Sequence, residues 1–465
     1  MKKLRFLFFF SLAFLLLFPF LSFGEETTDT LSLQYQEALP SLNALMDQAA
    51  LQRRHPCIHI TTLDSQPILS KKEYVPAVID VFNCEDTYRL TATGGVKVRG
   101  NSTANGDEKP YRIKFDRKQG MLGLHDGRAF KSWVLLRAQW NLAADFTAFR
   151  LGRAILGPDA YVSDCAYVNV YVNGESMGLY LLCEQNQAAK GRVEVYEPEP
   201  DDNSNKIGYL LELDNYPDDE HPNFWIPEYP EVTDIAGETR ILRGRTYSIK
   251  SDYNTPSQKR WISRWMEGTF TILYEAAVHG RAMRHGLNGQ AVDVTDASVT
   301  AFEAVSAVID LESVADMLIL EELVHNYDVG EGSFYMAVDF SEQSKYPKLT
   351  FVAPWDFNWA YDGSPEGGWY ACTFQPPAAD WDRSSAWFIL AMKMPEFREM
   401  VQARWRALRE TGVLETVLND VQAELATLRS DLPANESWRI QAGENIVAFV
   451  RGRIAWLDEQ WLDEP

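Results

Sequence analysis

The amino-acid sequence predicts an α+β fold in two lobes, a β-rich first half followed by a helix-rich second half. Three observations predict it. From 57 to 182, apolar and polar residues alternate in short runs, the period-two signature of strands. Beyond Thr255-Pro256, a cap followed by a first-turn proline, apolar residues recur at helical spacing over long stretches. Between the two, 197–231 is rich in Pro, Asp, Glu and Asn and reads as a connection that marks the border between lobes.

In the first half, strands are expected at 57–62, 77–82, 96–99 and 111–115. The clearest hairpin spans 167–182, because Asn173-Gly174 supplies two residues that tolerate positive φ between Val-rich and Leu/Tyr-rich arms. Cys165 and Cys183 flank it nearly symmetrically, so they read either as a disulfide or as two small buried thiols. One helix interrupts the strands at 144–156: Phe146, Phe149, Leu151 and Ile155 form its apolar stripe and Gly157-Pro158 stops it. Inside the connection lies one short strand, 208–213. The second half reads as helices at 257–278, 311–326, 386–410, 414–428 and 443–461, interrupted by a single strand pair, 333–338 and 348–353. The resulting division is a leader at 1–24, a lead-in at 25–50, a β-rich lobe at 51–190, a connecting acidic region at 191–255 and a helical lobe at 256–465.

Lys2, Lys3 and Arg5 precede an apolar run from 6 to 23, and Ser22 and Gly24 supply small residues for cleavage, so the leader reads as an export signal with the mature chain starting near Glu25. An uncleaved anchor is the alternative. No other window is apolar enough to span a bilayer, and a secreted or envelope location follows. A formal charge of −22 excludes a general nucleic-acid binder, which needs a dense Lys/Arg face. The five cysteines lack C-x-x-C spacing, and the seven histidines are scattered without ligand spacing. Asp201-Asp202 and Asp218-Asp219-Glu220 read as solvated acidic loops, and no Gly-x-Ser-x-Gly elbow is present for a hydrolase.

The residues that carry chemistry lie between 325 and 363. A helix ends in His325-Asn326-Tyr327-Asp328, a loop leads to Ser333, and two strands run into Pro354-Trp355-Asp356-Phe357-Asn358. Two carboxylates therefore follow a helix and a strand that are joined by a hairpin. Phosphoryl transfer needs this kind of pair, one carboxylate to orient the attacking hydroxyl and one to hold the metal that bridges the nucleotide phosphates. As a bare pattern, acids at element ends are also common caps.

In the first half, Gly100-Asn101-Ser102-Thr103-Ala104-Asn105-Gly106 is a polar loop between strands. It reads either as a phosphate cover that offers backbone N–H groups or as a plain turn. Lys114, flanked by Ile113 and Phe115, is the first choice for a phosphate-contacting cation and Arg99 the second; a solvent-facing strand lysine is the alternative. The helix after Ala143 offers no Glu partner for that lysine.

Taken in order, several motifs carry a resemblance. They are Arg99-Gly100-Asn101-Ser102-Thr103, Lys109-Pro110-Tyr111-Arg112-Ile113-Lys114-Phe115, Trp133-Val134-Leu135-Leu136, Val170-Tyr171-Val172-Asn173-Gly174 through Gly178-Leu179-Tyr180-Leu181-Leu182 to Glu184-Gln185, Asn326-Tyr327-Asp328 and Pro354-Trp355-Asp356-Phe357. Together they resemble the spore-coat H (CotH) kinase family from about 56 to 461. The resemblance implies an atypical protein-kinase fold that uses ATP with Mg²⁺ or Mn²⁺ to phosphorylate Ser or Thr on secreted or surface proteins. It makes Asp328 the catalytic carboxylate and Asp356 the metal ligand, with Ser333 as second ligand, and it likens Glu184-Gln185 to the hinge that meets adenine through its backbone. The family often carries Asn where Ser333 stands and Asp where Asn358 stands, so reduced activity is one expectation. A catalytically weak surface binding protein and an adenylyl transferase are the competing readings.

Overall fold

The computed structural model describes residues 25–100, 102–137, 142–217, 221–342, 344–376 and 383–462. The predicted leader lies outside them. α1 (Glu25–Gln52) covers the outside of a closed seven-stranded barrel. Its strands are β1 (Cys57–Thr62), β2 (Val75–Phe82), β3 (Leu90–Val98), β4 (Tyr111–Gln119), β5 (Phe130–Leu136), β6 (Cys165–Val172) and β7 (Glu175–Glu184). The barrel order is β1-β2-β3-β4-β5-β7-β6, closed by a parallel pairing of β1 with β6. All other pairings are antiparallel.

The period-two alternation decides which side chains fill the barrel. On the β6–β7 hairpin, Val168, Val170, Tyr180 and Leu182 point inward to the barrel core, while Cys165, Tyr167, Leu181 and Cys183 face outward onto a second, larger core. Asn173 and Gly174 sit at φ 50° and 87°, as the turn requires. Cys165 pairs directly with Cys183 in register, and both are buried free thiols.

α2 (Ala143–Leu156) lies in the expected place and joins the barrel to the rest. Gly152 lets it approach closely, because a Cβ there would touch Val162, Leu320 and Pro354. The larger core runs from the barrel's outer face through α2 into the second half.

The connecting region and the second half depart from expectation in their strands and in one helix. The region 191–255 is not only connection: β8 (Gly208–Leu213), β9 (Asn223–Ile226) and β12 (Arg245–Ile249) combine with β15 (Phe334–Asp339) and β16 (Thr350–Val352) in one five-stranded sheet of order β16-β15-β8-β12-β9. β8, β15 and β16 lie at expected strands; β9, β12 and the joining of all five into one sheet are not in the sequence reading. β10 (Tyr229–Thr233) with β11 (Thr239–Leu242), and β13 (Met283–His285) with β14 (Ala291–Asp293), form two small hairpins. Composition concealed β9 to β12 because they are four or five residues long and interrupted by Pro and Asp.

The helices are α3 (Pro256–His279), α4 (Ala301–Ser306), α5 (Leu311–Val324), α6 (Ala386–Lys393), α7 (Pro395–Thr411), α8 (Val413–Thr427) and α9 (Trp438–Trp461). Thr255 caps α3 in a full capping box with Gln258, and Pro256 occupies its first turn. The single helix expected at 386–410 is two, because Pro395 forces Met394 into an extended conformation (φ −79°, ψ 120°) and breaks the run.

Candidate active site

α5 is apolar on nearly all sides and fully embedded, so its C-terminus is a fixed point. The chain leaves it at His325, which takes a left-handed conformation (φ 45°) and stacks on Tyr370. Asn326 then accepts the N–H of Asp328 through its Oδ1 at 3.2 Å. The carbonyl of Asp328 accepts N–H groups from Glu331 (2.9 Å) and Gly332 (3.2 Å), which closes a tight loop around the half-buried carboxylate. Gly330 in that loop abuts the backbone of Arg383 and Ser384 so closely that no side chain fits there.

β16 delivers Asp356 from the other side. Ala353 and Asp356 both adopt positive φ (52° and 64°), which turns the Asp356 side chain toward Ser333, itself at φ 55°. Asp356 Oδ2 accepts from the Ser333 hydroxyl at 3.2 Å, and Oδ1 accepts from the Asn358 amide at 2.6 Å.

A third carboxylate completes the arrangement. Asp145, in the first turn of α2 and only 3% exposed, accepts the N–H of Phe357 at 2.8 Å. Phe149 on the same helix stacks on Trp355 and meets Phe357 edge-on, so α2 grips the segment on both sides of Asp356. Burial raises the carboxyls of Asp145 and Asp328, each to about 7, and the nearby charge of Asp356 adds to both shifts. The three acids therefore lie within electrostatic reach at one site. Behind it, burial raises Glu321 to about 8, the polar side chain of Asn326 opposes the rise, and the charges of Glu322 and Asp328 add to it.

A family model described as CotH kinase protein matches residues 96–441, most of the chain and all of these carboxylates. The chain belongs to the CotH kinase family. No curated protein matches it. Membership points to kinase-like function, and the matched span begins within β3, leaving α1, β1 and β2 outside it.

The remaining residues of interest in this CotH-family protein divide into those that reach the site and those that do not. Arg99, at the barrel end, lies 5.6 Å from the ring centre of Trp355 and lowers the Asp145 carboxyl's pKa, opposing the burial that raises it. Lys114 lies exposed on the outward face of β4, 6.0 Å from the ring centre of Tyr74. Among the described residues no ion pair joins it to Asp145, Asp328 or Asp356, so the site-facing cation of the pair is Arg99.

The polar loop is folded on itself: Lys109 donates to the carbonyls of Ala104 (3.0 Å) and Gly106 (3.2 Å), and Ser102 begins a short 3-10 turn. Asn101 lies outside the described residues. Glu184 departs from the hinge expectation, because its N–H and carbonyl both meet the Ser163 hydroxyl. Its carboxylate, fully buried, pairs with Arg192 and His125, so it is a structural anchor closed to a ligand.

Asp145 is the residue that the sequence reading missed. A glutamate is the expected partner of a phosphate-contacting lysine on α2, and an aspartate in a first turn reads as a complement to the helix dipole. Its signal was its place, one turn ahead of the aromatic stripe that packs on Trp355 and Phe357.

Proposed function

We propose that this chain is a secreted or envelope-exposed protein Ser/Thr kinase of the CotH type, two-lobed, with ATP as phosphoryl donor and Mg²⁺ or Mn²⁺ as cofactor. The observation that carries the reading is the meeting of Asp328, Asp356 and Asp145 at one site, each delivered by a different element. Three acids whose charges oppose one another are a poor structural device and a suitable receptor for a cation and a transferring phosphoryl group.

The donors fit a hard divalent cation. Asp356 offers carboxylate oxygens, with the Ser333 hydroxyl and the Asn358 amide beside it. Among the described residues no group of three or more His, Cys, Asp or Glu is arranged to hold a metal by itself. Magnesium is commonly held by one or two carboxylates together with substrate phosphates, and Asp356 would supply such a carboxylate. Once bound, the cation would neutralise charge on the phosphate oxygens. Asp356, Ser333 and Asp145 are the residues proposed to hold and brace it, with Arg99 adding positive charge from the barrel end.

Asp328 is proposed to orient the acceptor hydroxyl. Its anionic form accepts the hydroxyl proton as the oxygen attacks, and its raised pKa places that acceptance near neutrality. Asn326 fixes the backbone that carries it. The competing reading, a binding protein of weak activity, draws on the two hydrogen bonds that occupy both oxygens of Asp356.

One experiment separates the readings. The chain from Glu25 is incubated with Mg²⁺ or Mn²⁺, a Ser/Thr peptide library and ATP labelled at either the γ or the α phosphate. Transfer of γ label supports the kinase. Transfer of α label makes the protein an adenylyl transferase, and nucleotide binding with neither transfer makes it a binding protein.

A further inference from the structure

Arg383 is buried to 8% exposure, its guanidinium lies over the ring of Tyr327, and its Nε has no hydrogen-bond partner. Among the described residues no carboxylate pairs with it. The contrast within the chain is sharp, since the buried Arg137 and Arg439 both meet Glu108, Arg192 meets Glu184 and Arg453 meets Glu322. A formal charge of −22 leaves no shortage of acids. A desolvated cation without a counter-ion is destabilising, and the Tyr327 face offsets only part of that cost.

Its position gives the cation a use. Tyr327 immediately precedes Asp328, and the carbonyls of Arg383 and Ser384 pack against Gly330 in the same loop. Arg99 is the cation beside Asp145 and Trp355, on the Asp356 side. Arg383 instead packs its backbone on Gly330 and its side chain on Tyr327 of the segment that carries Asp328, where the acceptor hydroxyl is proposed to bind. Nearby Asp328 and Glu331 repel any anionic acceptor, so a positive charge with no carboxylate partner among the described residues is what would admit one.

We propose that Arg383 is an oxyanion receptor that reads a carboxylate or phosphate on the acceptor protein, close to the hydroxyl that Asp328 orients. The inference rests on the kinase reading for the direction from which the acceptor approaches. The chemistry is that of a guanidinium fork, with the ring of Tyr327 behind it and its donors free for a planar or tetrahedral oxyanion. Burial lowers the pKa of Arg383 to about 10, so it remains charged at neutral pH and would bind an anion in a partly dehydrated setting.

The test reads binding without ATP or metal, so its outcome is independent of whether phosphoryl transfer occurs. Three peptides are compared by fluorescence polarisation on the whole chain from Glu25. They are identical except that the serine acceptor is flanked by Asp, by phosphoserine or by Ala. The acidic and phosphorylated peptides should bind about tenfold or more tightly than the neutral one, as charge-assisted hydrogen bonds allow. Arg383→Met should abolish the preference, and Arg383→Lys should keep part of it for phosphoserine and lose it for Asp, because lysine has no fork. Inorganic phosphate should compete with the phosphopeptide on the unaltered protein, which tests the site even if Arg383→Met does not fold. Equal binding of all three peptides, a preference retained in Arg383→Met, or no competition by phosphate would each overturn the proposal. Which acidic peptide binds more tightly distinguishes a carboxylate from a phosphate as the group read.

Discussion

At the scale of single residues, the proposed function assigns metal holding and hydroxyl orientation to different carboxylates, and the two tasks predict different losses. Asp356→Ala should weaken nucleotide binding in the presence of metal together with transfer. Asp328→Asn keeps the shape and removes the charge, so transfer should fall by about two to four decades with nucleotide affinity little changed. Single-turnover kinetics beside a nucleotide titration would show the split; a wild-type rate in Asp328→Asn would reduce Asp328 to a loop cap. The same carboxyl sets a pH dependence. Burial and the charge of Asp356 raise Asp328 to about 7, so the anion proposed to accept the hydroxyl proton is lost as pH falls through that value. Transfer should therefore rise between pH 6 and 8 in the parent and lose that slope in Asp328→Asn. Asp328 and Asp356 stand out in the sequence as candidates because a helix end and a strand end flank a hairpin and the family motifs fall on both. Asp145 and Arg383 do not, since each acquires meaning only from contacts with distant residues, Phe357 and Tyr327.

At the scale of elements, the chain between α1 and β1 is fastened to the end of α8 by one buried acid. Asp431 accepts the N–H of Arg54 (2.9 Å), that of His55 (3.3 Å) and the amide of Asn169 on β6 (3.0 Å), and it also pairs with the His55 ring. Burial lowers the pKa of His55, but hydrogen bonds to Asp431 and Glu424 and their charges outweigh it and raise the ring to about 9. A histidine with a raised folded pKa stabilises fully below its ordinary value of 6.5, and that stability is lost as pH rises through 9. The melting temperature should therefore fall more between pH 6 and 9.5 in the parent than in His55→Gln. A parallel fall in both would remove the clasp from the account. Asp431→Ala leaves donors from two segments, the α1–β1 connection and β6, unpaired and should cost about 2–4 kcal/mol, measured by urea unfolding. Sequence periodicity found the hairpin, α2, α3 and α5 because their signals are local. It fused α6 with α7 and missed β9 and β12 of the second sheet, and it gave no sign of the pairing that joins β8 to β15 across more than a hundred residues.

At the scale of the whole molecule, the raised acids make an unliganded site a liability that grows with pH. Asp145 and Asp328 at about 7 and Glu321 at about 8 are all raised above their ordinary values, so their stabilising contribution is complete at low pH and is lost as pH climbs through 7 to 8. Thermal scans of metal-free His55→Gln, which removes the clasp's own dependence, should show stability declining from pH 5 to 8. Added Mg²⁺ should restore more at pH 8 than at pH 6, and equal stabilisation at both would separate the acids from cation binding. The barrel carries a consequence of another kind. Its seam joins β1 to β6, and β6 ends at Val172 while β1 begins at Cys57. A ribosome adding 5–20 residues each second leaves on the order of ten seconds between emergence of the first strand and of the partner that seals it. Throughout that interval the nascent chain presents an open, Ile-rich edge, so its yield should depend on chaperones that occupy unpaired strands until the seam arrives.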